Sequence, residues 1–507
     1  MPEATALDIV DSVFDPTEVL PASVDDVRRL PPFAEKIAAC EQLCGTPFSA
    51  VDDAVQQALV LRRLQQMTST LMINPAWKER LHGAGVREAP RDVDEWQRVP
   101  LSDKRTIREL FMGARSGLVV PLTDGGFEIV ASGGTSDGLP VETVYSLREL
   151  HDTYRIAGRF IGEHVLREHL AGPDPKWLVT TLADYQMWSS GTMVGGVLQH
   201  VPGVNYIGAG PVSKEVYQHV LSYPGPKAIM AISRGIAVLT DLGAGATEAA
   251  RASLRVALYG SGLLAHRKQR ELQECYPNLA IMSYFAATEA EAIGLQRMPD
   301  SFLTAVPGLH LIEIVDEAGR WVAEGEEGEL VVTRLHAREA PLPRFKVGDR
   351  MIRRPRLNTP ALKADQFEFR GRSGDVIHLC DTQYAARPAY EALCHALQRS
   401  GVCDLAALAR EAQFTNDRRA KVLSLVAAVD WADSLTSRAE HVLGPAGIRG
   451  VFVEALIQAL SLFNRGEANA QAIDKTGYAF ELRFVDPWSE AIHRTPLGKV
   501  PLIRDRF

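Results

Sequence analysis

A loop rich in glycine and hydroxyl side chains is the first stretch of the sequence that could do chemistry. Residues 131–140 read Ala-Ser-Gly-Gly-Thr-Ser-Asp-Gly-Leu-Pro. Glycine lets backbone amides approach a ligand closely, and the hydroxyls of Ser132, Thr135 and Ser136 add hydrogen-bond donors. A concave row of such donors suits phosphate oxygens, although a polar surface turn has a similar composition. The glycines of this predicted phosphate site are Gly133, Gly134 and Gly138.

Two short β-like segments flank this loop and must position it. Residues 127–130 contain β-branched side chains, and residues 141–145 alternate between apolar and polar. A turn-rich segment between two such runs predicts an antiparallel hairpin. We therefore expect the loop to connect two paired strands.

The remaining elements change in character along the chain. The first 98 residues have the apolar spacing of helices, and Ser102 is a predicted N-cap of the helix that follows. Strands and helices then alternate, which favours an α/β layer architecture. The predicted strands are residues 177–181, 228–232, 256–260 and 279–285, and the predicted helices are residues 145–170 and 265–276.

From residue 310 the pattern becomes all-β, and after residue 372 it becomes mixed and helix-rich. Residues 310–316 and 328–333 predict a β-hairpin. The later predicted helices are residues 385–397, 405–413 and 451–463.

Composition excludes several classes of function. A net charge of −8 provides no basic surface for nucleic acid, and no apolar run is long enough to cross a membrane. The first residues lack the basic and apolar regions of a signal peptide. The six cysteines do not form two pairs with metal-binding spacing. We therefore expect a cytoplasmic protein with reduced cysteines and with neither a nucleic acid nor a membrane as partner.

Five separated segments resemble, in the same order, the motifs of one superfamily. After the loop at 131–140, residues 285–290 read Phe-Ala-Ala-Thr-Glu-Ala and residues 343–349 read Pro-Arg-Phe-Lys-Val-Gly-Asp. Residues 371–375 read Gly-Arg-Ser-Gly-Asp, and residues 495–506 contain Thr-Pro-Leu-Gly-Lys-Val. Together they resemble the adenylate-forming superfamily of acyl-CoA synthetases, NRPS adenylation domains and luciferases. Residues 100–104 are similar to the Pro-x-Thr-Lys segment of its phenylacetate-CoA ligase-like branch.

The resemblance implies an α/β fold with two domains. Residues 1–371 would form a large N-terminal domain of layered sheets and helices with a β-rich subdomain, which binds ATP and an acid. Residues 372–507 would form a smaller, mobile α+β lid. The implied reaction joins a carboxylate to ATP, which gives an acyl-adenylate and pyrophosphate. The lid would then rotate about the hinge, and the thiol of CoA would displace AMP.

The resemblance also implies roles for single residues. Thr288 and Glu289 would act on the phosphates, with Glu289 as a Mg²⁺ ligand, because magnesium favours carboxylate oxygens and substrate phosphates. Asp349 would accept the ribose hydroxyls, and Arg372 would reach phosphate or ribose. The residues beside the adenine ring would be Phe285, Gly260 and Ser261.

Lys499 is the predicted catalytic cation. Attack of a carboxylate on the α-phosphate brings two anions together, and a lysine that contacts both offsets their repulsion as the transition state forms. Outside this motif, a lysine near a C-terminus is usually a solvated charge.

The acid pocket is expected to draw on residues 185–196, on residues 208–211 and on the surroundings of Phe285. Such apolar groups suit a small, aromatic acid, although they could equally be core residues. The candidate side chains are Trp188, Met193, His200 and Tyr206.

Several positions depart from the family pattern. The phosphate loop carries an additional Asp137, and Leu139 stands where Lys or Arg is usual. Gly374 replaces the first hinge aspartate. The segment after the hinge, residues 378–382, lacks the glycine that lines the thiol tunnel of relatives. The adenylation half is therefore better supported than the thiol half.

Three functions remain open from the sequence. The first is a CoA ligase that acts on a small acid. The second is an adenylating enzyme with another acceptor, such as a carrier-protein thiol, an amine, or an arylamine diazotised through activated nitrite. The third is a non-catalytic nucleotide-binding protein, which the presence of both Glu289 and Lys499 disfavours. The chain would act as a monomer or a homodimer.

Overall fold

The computed structural model describes most of the chain, and the statements below concern only that part. The described residues are 5–15, 18, 20–132, 141–185, 187–262, 264, 266–380, 382–460, 470–494 and 500–506. None of the helices in these ranges combines the length and the apolar composition that a membrane crossing requires.

The described helices are concentrated at the N-terminus, between the central strands and in the last third of the chain. In chain order they are α1 (Ala6–Val13), α2 (Val24–Arg29), α3 (Phe33–Cys44), α4 (Asp53–Ile73), α5 (Pro75–Gly83), α6 (Lys104–Phe111), α7 (Leu147–Phe160), α8 (Ser190–Gln199), α9 (Lys214–Leu221), α10 (Ser233–Ala237), α11 (Leu239–Gly243), α12 (Glu248–Ala252), α13 (His266–Cys275), α14 (Ala386–Arg399), α15 (Leu405–Leu408), α16 (Ala432–Val442), α17 (Gly444–Gln458) and α18 (Ala470–Lys475). Helix α7 continues as a π-helix, Ile161–Leu166. Short 3₁₀ turns are Phe48–Ala50, Asp94–Arg98 and Leu122–Asp124.

The strands form one large sheet and three small ones. In chain order they are β1 (Phe127–Ser132), β2 (Val141–Ser146), β3 (Trp177–Thr180), β4 (Asn205–Gly208), β5 (Lys227–Ile232), β6 (Leu254–Gly260), β7 (Ala280–Ala287), β8 (Glu291–Leu295), β9 (Leu303–Ala305), β10 (His310–Val315), β11 (Glu327–Arg334), β12 (Phe345–Asn358), β13 (Lys363–Arg372), β14 (Val376–Leu379), β15 (Thr382–Ala385), β16 (Glu411–Asp417), β17 (Val422–Ala428), β18 (Ala479–Val485) and β19 (Ile503–Arg506).

The large sheet has eleven strands in the order β10-β11-β12-β13-β9-β8-β7-β6-β5-β3-β4. Strands β4, β3, β5, β6 and β7 run parallel, and the strands from β7 to β10 pair antiparallel. Strands β1 and β2 form a separate antiparallel hairpin in which Ser132 opposes Val141. The predicted hairpin at the glycine-rich loop and the predicted pairing of residues 310–316 with 328–333 are both confirmed.

The parallel strands are apolar on both faces, because helices cover both sides of this part of the sheet. Met230 of β5 packs into one apolar cluster with Leu258 of β6. Their neighbours in sequence, Ile229 and Ala257, point the other way and join a second cluster. Each strand therefore contributes to two cores at once, as the period of two in a β-strand requires.

The N-terminal helices pack on the antiparallel half of the sheet. The predicted N-cap of α6 is wrong. Asp103, not Ser102, is the N-cap of α6, where it forms a capping box with Thr106. Ser102 is fully buried and instead bridges to Phe345 of β12. Its backbone amide donates to the carbonyl of Arg344 at 2.9 Å.

The last strand of the large sheet ends at Arg372, and the chain then builds separate sheets. A β14–β15 hairpin leads into a four-stranded sheet in the order β18-β17-β16-β19, which packs with α16 and α17. The predicted helix over residues 405–413 is wrong beyond Leu408. Residues from Glu411 onward instead pair with β17 and β19 as strand β16.

Arg344 joins the segment before α6 to the β-rich region. Its guanidinium is 2% exposed and lies 3.0 Å from the fully buried Glu313 carboxylate. It also donates to the backbone carbonyls of Gln97 at 2.6 Å, Val99 at 2.9 Å and Gly319 at 2.6 Å. Removing one partner of a buried pair leaves an uncompensated charge.

We therefore predict that Arg344→Met lowers the free energy of unfolding by about 3–5 kcal/mol. Urea denaturation followed by tryptophan fluorescence measures this loss, and Trp321, which donates to Glu313 at 2.8 Å, reports on the site directly. The control is Arg320→Met, whose side chain is 75% exposed and pairs with Asp316 at 3.4 Å. An exposed pair contributes about 1 kcal/mol or less, so equal losses in both variants would contradict the prediction.

Candidate functional site

The candidate residues gather at the carboxyl ends of the parallel strands. Ser233 follows β5, Gly260 ends β6, and Thr288 and Glu289 follow β7. Because β5, β6 and β7 are parallel neighbours, these ends meet at one edge of the sheet. Ligands of open α/β sheets bind at this edge.

The turn that carries Thr288 and Glu289 is held from behind by Tyr145 of β2. The Tyr145 hydroxyl donates to the Thr288 carbonyl at 2.7 Å, and the guanidinium of Arg334 stacks 4.3 Å from the Tyr145 ring centroid. Burial raises the pKa of Tyr145 well above its usual value, so the hydroxyl stays a donor. Glu289 is 5% exposed, and its Oε1 has no hydrogen-bond partner among the described residues. A buried carboxylate oxygen without a hydrogen-bond partner can bind a cation.

The hairpin that leads into the glycine-rich loop reaches the same region, since Tyr145 lies on β2. Strand β1 is fixed to the loop before α8, because the amide of Ala131 donates to the Met187 carbonyl at 2.8 Å. The predicted phosphate-site residues from Gly133 to Gly138 and the side chain of Ser132 lie outside the described residues. Their role therefore stays a prediction.

Asp349 and Arg372 face each other on neighbouring strands β12 and β13. Asp349 directly opposes Arg372 in the register, and Arg372 Nε lies 3.4 Å from Asp349 Oδ1. Asp349 is 3% exposed. Burial raises its pKa to about 6, and the Arg372 guanidinium offsets only part of that effect. This carboxylate therefore lies within strand β12 rather than in a turn.

Lys104 belongs to the same group of charges, and we did not single it out from the sequence. It is the first residue of α6 and is half-buried. Burial lowers its pKa, while the carboxylates of Glu289 and Asp349 act to raise it and the Arg372 cation lowers it further. Within the described residues it makes neither a hydrogen bond nor an ion pair. Its place in the Pro-x-Thr-Lys-like segment was the signal that could have found it.

The loop after β6 is held in a fixed conformation. Ser233 donates to the carbonyls of Gly260 at 3.1 Å and Gly262 at 2.6 Å, and Ser261 has a positive φ of 61°. A Cβ at Gly260 would lie 2.5 Å from the Tyr284 ring, so only glycine fits there. Phe285, the predicted adenine neighbour, packs 5.7 Å from the Phe369 ring.

The four predicted acid-pocket residues are distributed over the loop before α8, helix α8 and its C-cap, and strand β4. Trp188 is in the loop before α8, and Met193 packs in a cluster with Val130 and Tyr145. Tyr206 lies on β4, where its hydroxyl approaches Gly195 and Gly208. His200 is at the far end of the ten-residue helix α8, about 15 Å from its start. It borders a separate cavity of about 370 Å³ with His151 and Arg155.

Lys499 lies outside the described residues, but both ends of its segment are visible. The buried amide of Gln413 donates to the carbonyls of His493 at 3.3 Å and Pro501 at 2.9 Å. It also accepts from the amide of His493 at 3.0 Å. One side chain of β16 therefore anchors the chain before and after residues 494–500.

Contacts between this C-terminal region and α10 and α13 are polar and aromatic. Arg267 of α13 pairs with Asp430, which also accepts from Arg410 at 2.9 Å. Trp488 lies between two guanidiniums, 5.7 Å from that of Arg234 and 5.5 Å from that of Arg494. Arg234 follows Ser233, so the C-terminal region contacts the protein beside the Gly260 loop.

Comparison with solved structures identifies the fold. No protein family profile matches the sequence, and no curated protein sequence matches it. The structure superposes on 2-hydroxyisobutyryl-CoA ligase in the postadenylation state, in complex with R3-HIB-AMP, with a TM-score of 0.68 and 15% identity over 90% of this chain and 91% of that one. The chain has the adenylate-forming fold of this CoA ligase. The fold predicted from the motifs is thereby confirmed, whereas the phenylacetate-CoA ligase-like branch stays a prediction.

Two further structures refine the comparison. With the same CoA ligase in the thioesterification state, the TM-score falls to 0.55 over the same 90% of this chain. The arrangement of this chain is therefore more similar to the postadenylation state of that ligase than to its thioesterification state. An acyl acid amido synthetase in complex with 2,4-DB has a TM-score of 0.57 at 15% identity, and the match covers 94% of this chain and 90% of that one.

The raised pKa of Asp349 predicts a pH-dependent stability. A carboxyl whose pKa is higher in the folded than in the unfolded state contributes stability at low pH, and this contribution is lost as the pH rises through the folded pKa. Between pH 4 and 7, Asp349→Asn should therefore gain stability relative to the wild type by roughly 3 kcal/mol, because the pKa rises from 3.8 to about 6. Urea denaturation at several pH values measures this difference. A similar change in the exposed control Asp433→Asn, or none in Asp349→Asn, would contradict it.

Proposed function

We propose that the protein adenylates a small carboxylic acid with ATP and then transfers the acyl group to CoA with release of AMP. The observation that carries this proposal is the unpartnered, buried Oε1 of Glu289 at the carboxyl edge of the parallel strands. Lys104, Asp349 and Arg372 lie close enough to interact electrostatically with one another there. Such a site suits a polyanion that also carries hydroxyl groups.

Each of these residues has a role in binding the nucleotide. The fixed loop of Gly260 and Ser261 would receive the adenine ring, with Phe285 on its other side. The Asp349 carboxylate would accept the ribose hydroxyls, and Arg372 would exchange its contact with Asp349 for the phosphates. Lys104 would offset the negative charge of the α-phosphate from the N-terminal side.

A magnesium ion fits the acidic end of this site, because Glu289 offers an unpartnered carboxylate oxygen. Glu289 would hold it, and the Thr288 side chain would lie alongside. When bound, the ion would neutralise phosphate charge during the attack. The Tyr145 hydroxyl keeps the Thr288–Glu289 turn in place, so little reorganisation is needed.

The second half of the proposal concerns residues 372–507 as a lid. In the first step, the acid's carboxylate oxygen attacks the α-phosphorus and the bond to pyrophosphate breaks. Lys499 would contact both anions at that moment. The lid would then turn about residues 371–375 and carry Lys499 away. The polar contacts of Asp430 and Trp488 with α13 and α10 are of the kind that can be exchanged in such a turn.

The proposed acid is small and aromatic. Met193 packs beside the β1–β2 hairpin, the Tyr206 hydroxyl approaches Gly195 of α8, and Trp188 lies in the loop before that helix. The pairing of Tyr154 with Gly196, whose Cβ would lie 2.5 Å from that ring, adds aromatic surface to α8. His200 would contact the acid only from the far end of this helix.

Pyrophosphate release with Mg²⁺ and ATP tests the proposal directly. A panel of aromatic and aliphatic acids is supplied with and without CoA, and products are identified by mass spectrometry. We expect acid-dependent pyrophosphate release and a CoA thioester. The absence of pyrophosphate release with every acid would contradict adenylation.

An amine acceptor is the second candidate for the transfer step. The similarity to an acyl acid amido synthetase covers 94% of this chain. The segment after the hinge is a tight β14–β15 hairpin in which Cys380, not glycine, has a positive φ of 53°. If adenylation occurs but CoA is not acylated, amino acids and other amines are the acceptors to supply next.

We predict that Lys499→Ala lowers the rate of adenylation by about 10²–10³-fold, because no cation then bridges the carboxylate and the α-phosphate. Single-turnover pyrophosphate release measures the effect. The control is Lys475→Ala, an exposed lysine at the end of α18. Unchanged release by Lys499→Ala, with a melting temperature equal to that of the wild type, would remove Lys499 from the mechanism.

We predict that Glu289→Gln raises the Mg²⁺ concentration needed for half-maximal adenylation by at least about tenfold, since an amide binds magnesium more weakly than a carboxylate. A magnesium titration at saturating ATP measures this change. The exposed Glu248→Gln serves as the matched control. A titration curve that coincides with that of the wild type would exclude Glu289 as a ligand.

A further inference from the structure

Two imidazoles and one carboxylate meet behind the Thr288–Glu289 turn, and the proposed adenylation uses none of them. Glu291 begins β8, His310 begins β10, and His336 follows β11. One ligand atom from each of the three side chains lies within 4.8 Å of the others. Their residues are 7%, 7% and 0% exposed, respectively. We propose that Glu291, His310 and His336 bind one structural divalent transition-metal ion, with Zn²⁺ as the expected metal.

The hydrogen bonding of the histidines supports this assignment. Neither ring nitrogen of His310 has a hydrogen-bond partner among the described residues, and His336 Nδ1 also lacks one. Buried polar groups are nearly always hydrogen-bonded, so three unpartnered ring nitrogens in one place need an explanation. A ring nitrogen of neutral histidine is the commonest metal ligand, and a bound ion would satisfy His310.

The carboxylate is already oriented for this role. Glu291 has a positive φ of 55°, which is unusual for a residue other than glycine. Its carboxylate accepts a hydrogen bond from the Thr153 hydroxyl, and its Oε1 lies 3.3 Å from His336 Nε2. The Thr153 hydroxyl is also 3.1 Å from that nitrogen. Such hydrogen bonds from a neighbouring side chain fix the ligands of metal sites.

The charges around the cluster leave room for a cation. Arg334 is the nearest guanidinium, but its Nη1 is 3.9 Å from Glu291 Oε1, and neither its Nε nor its Nη1 has a hydrogen-bond partner in the described region. It is held instead by the Tyr145 ring and by the carbonyl of Ala340 at 2.6 Å. The described buried charges nearby are five carboxylates, Glu149, Asp152, Glu289, Glu291 and Glu339, and three guanidiniums, Arg63, Arg334 and Arg338.

A fourth guanidinium, Arg148, does not change this balance at Glu291. Its side chain is 45% exposed and reaches Glu339, not Glu291, at 3.4 Å. Burial and the neighbouring Glu149 raise the pKa of Glu339 to about 7, and Glu291 is the carboxylate next to the unpartnered imidazoles.

The donor set indicates which metal and which role. Two imidazoles with one carboxylate form a known protein ligand set for Zn²⁺, and no thiolate is present to select a softer ion. The Thr153 hydroxyl or a water molecule could complete four-coordination. Because the site is buried, the ion would act by joining β8, β10 and the end of β11. Glu289 is two residues from Glu291, so the ion would also stiffen the turn of the candidate active site.

Metal analysis of the purified full-length protein tests the proposal without any activity measurement. The protein is expressed with equal trace amounts of Zn²⁺, Fe²⁺, Co²⁺, Ni²⁺ and Mn²⁺, and its metal content is measured by mass spectrometry. We expect about one ion per chain, and its loss in Glu291→Gln, His310→Asn and His336→Asn. The controls His395→Asn, an exposed histidine, and Glu289→Gln should keep the ion.

A second measurement on the wild type covers variants that do not fold. The wild type is unfolded in guanidinium chloride with a chelator and then refolded with Zn²⁺, with Co²⁺, with Mg²⁺ or with no metal. We expect binding of about one Co²⁺ per chain with visible absorption typical of nitrogen-ligated cobalt, and a higher melting temperature with Zn²⁺ than with Mg²⁺. Less than about half an ion per chain, together with identical melting temperatures with and without Zn²⁺, would overturn the proposal. Loss of adenylation alone would not bear on it.

Discussion

The structure depends on a set of buried charges that must neutralise one another. An ionised side chain transferred alone into a protein interior is so unfavourable that it has to be paired or hydrogen-bonded. The Glu149 carboxylate shows how this is done, because it accepts hydrogen bonds from three consecutive backbone amides, those of residues 338–340, at 2.5, 2.8 and 3.3 Å. Asp152 likewise accepts from the amides of Phe33 and Ala34 at the start of α3. Helices α3 and α7 and the segment after β11 can therefore fold only in register with one another.

This constraint also positions the candidate active site. Arg334 belongs to the buried set and stacks on Tyr145, and Tyr145 in turn fixes the carbonyl of Thr288. The glycine-rich hairpin, the turn after β7 and the β-rich region are joined through these two side chains. A phosphate loop is useful only at a fixed distance from the residues that hold the cation and the ribose. In the proposed function the buried charges would supply that fixed distance, whereas Lys104 is half-buried and Arg372 is exposed.

Local pattern in the sequence was enough for the buried parallel strands β3, β5, β6 and β7 and for the two predicted hairpins. The runs around Ile229, Ala257 and Ile281 are apolar on both faces, which only a doubly covered parallel strand requires. The wrong predictions have different physical causes. Asp103 became the cap because Thr106 completes its capping box, and residues after Leu408 became a strand because β17 and β19 provide partners. Lys104 and the buried histidines were missed because their significance arises from contacts between residues about 20 to 270 positions apart.

Gln413 has a mechanical consequence for the C-terminal region. A single amide, rigid and fully enclosed, pins the chain both at His493 and at Pro501. The chain on either side of residues 494–500 is therefore fixed to the same point of β16. A rotation of β16 would move the backbone at His493 and at Pro501 together. A rotation of the four-stranded sheet would therefore carry both ends of the segment that contains Lys499 with it.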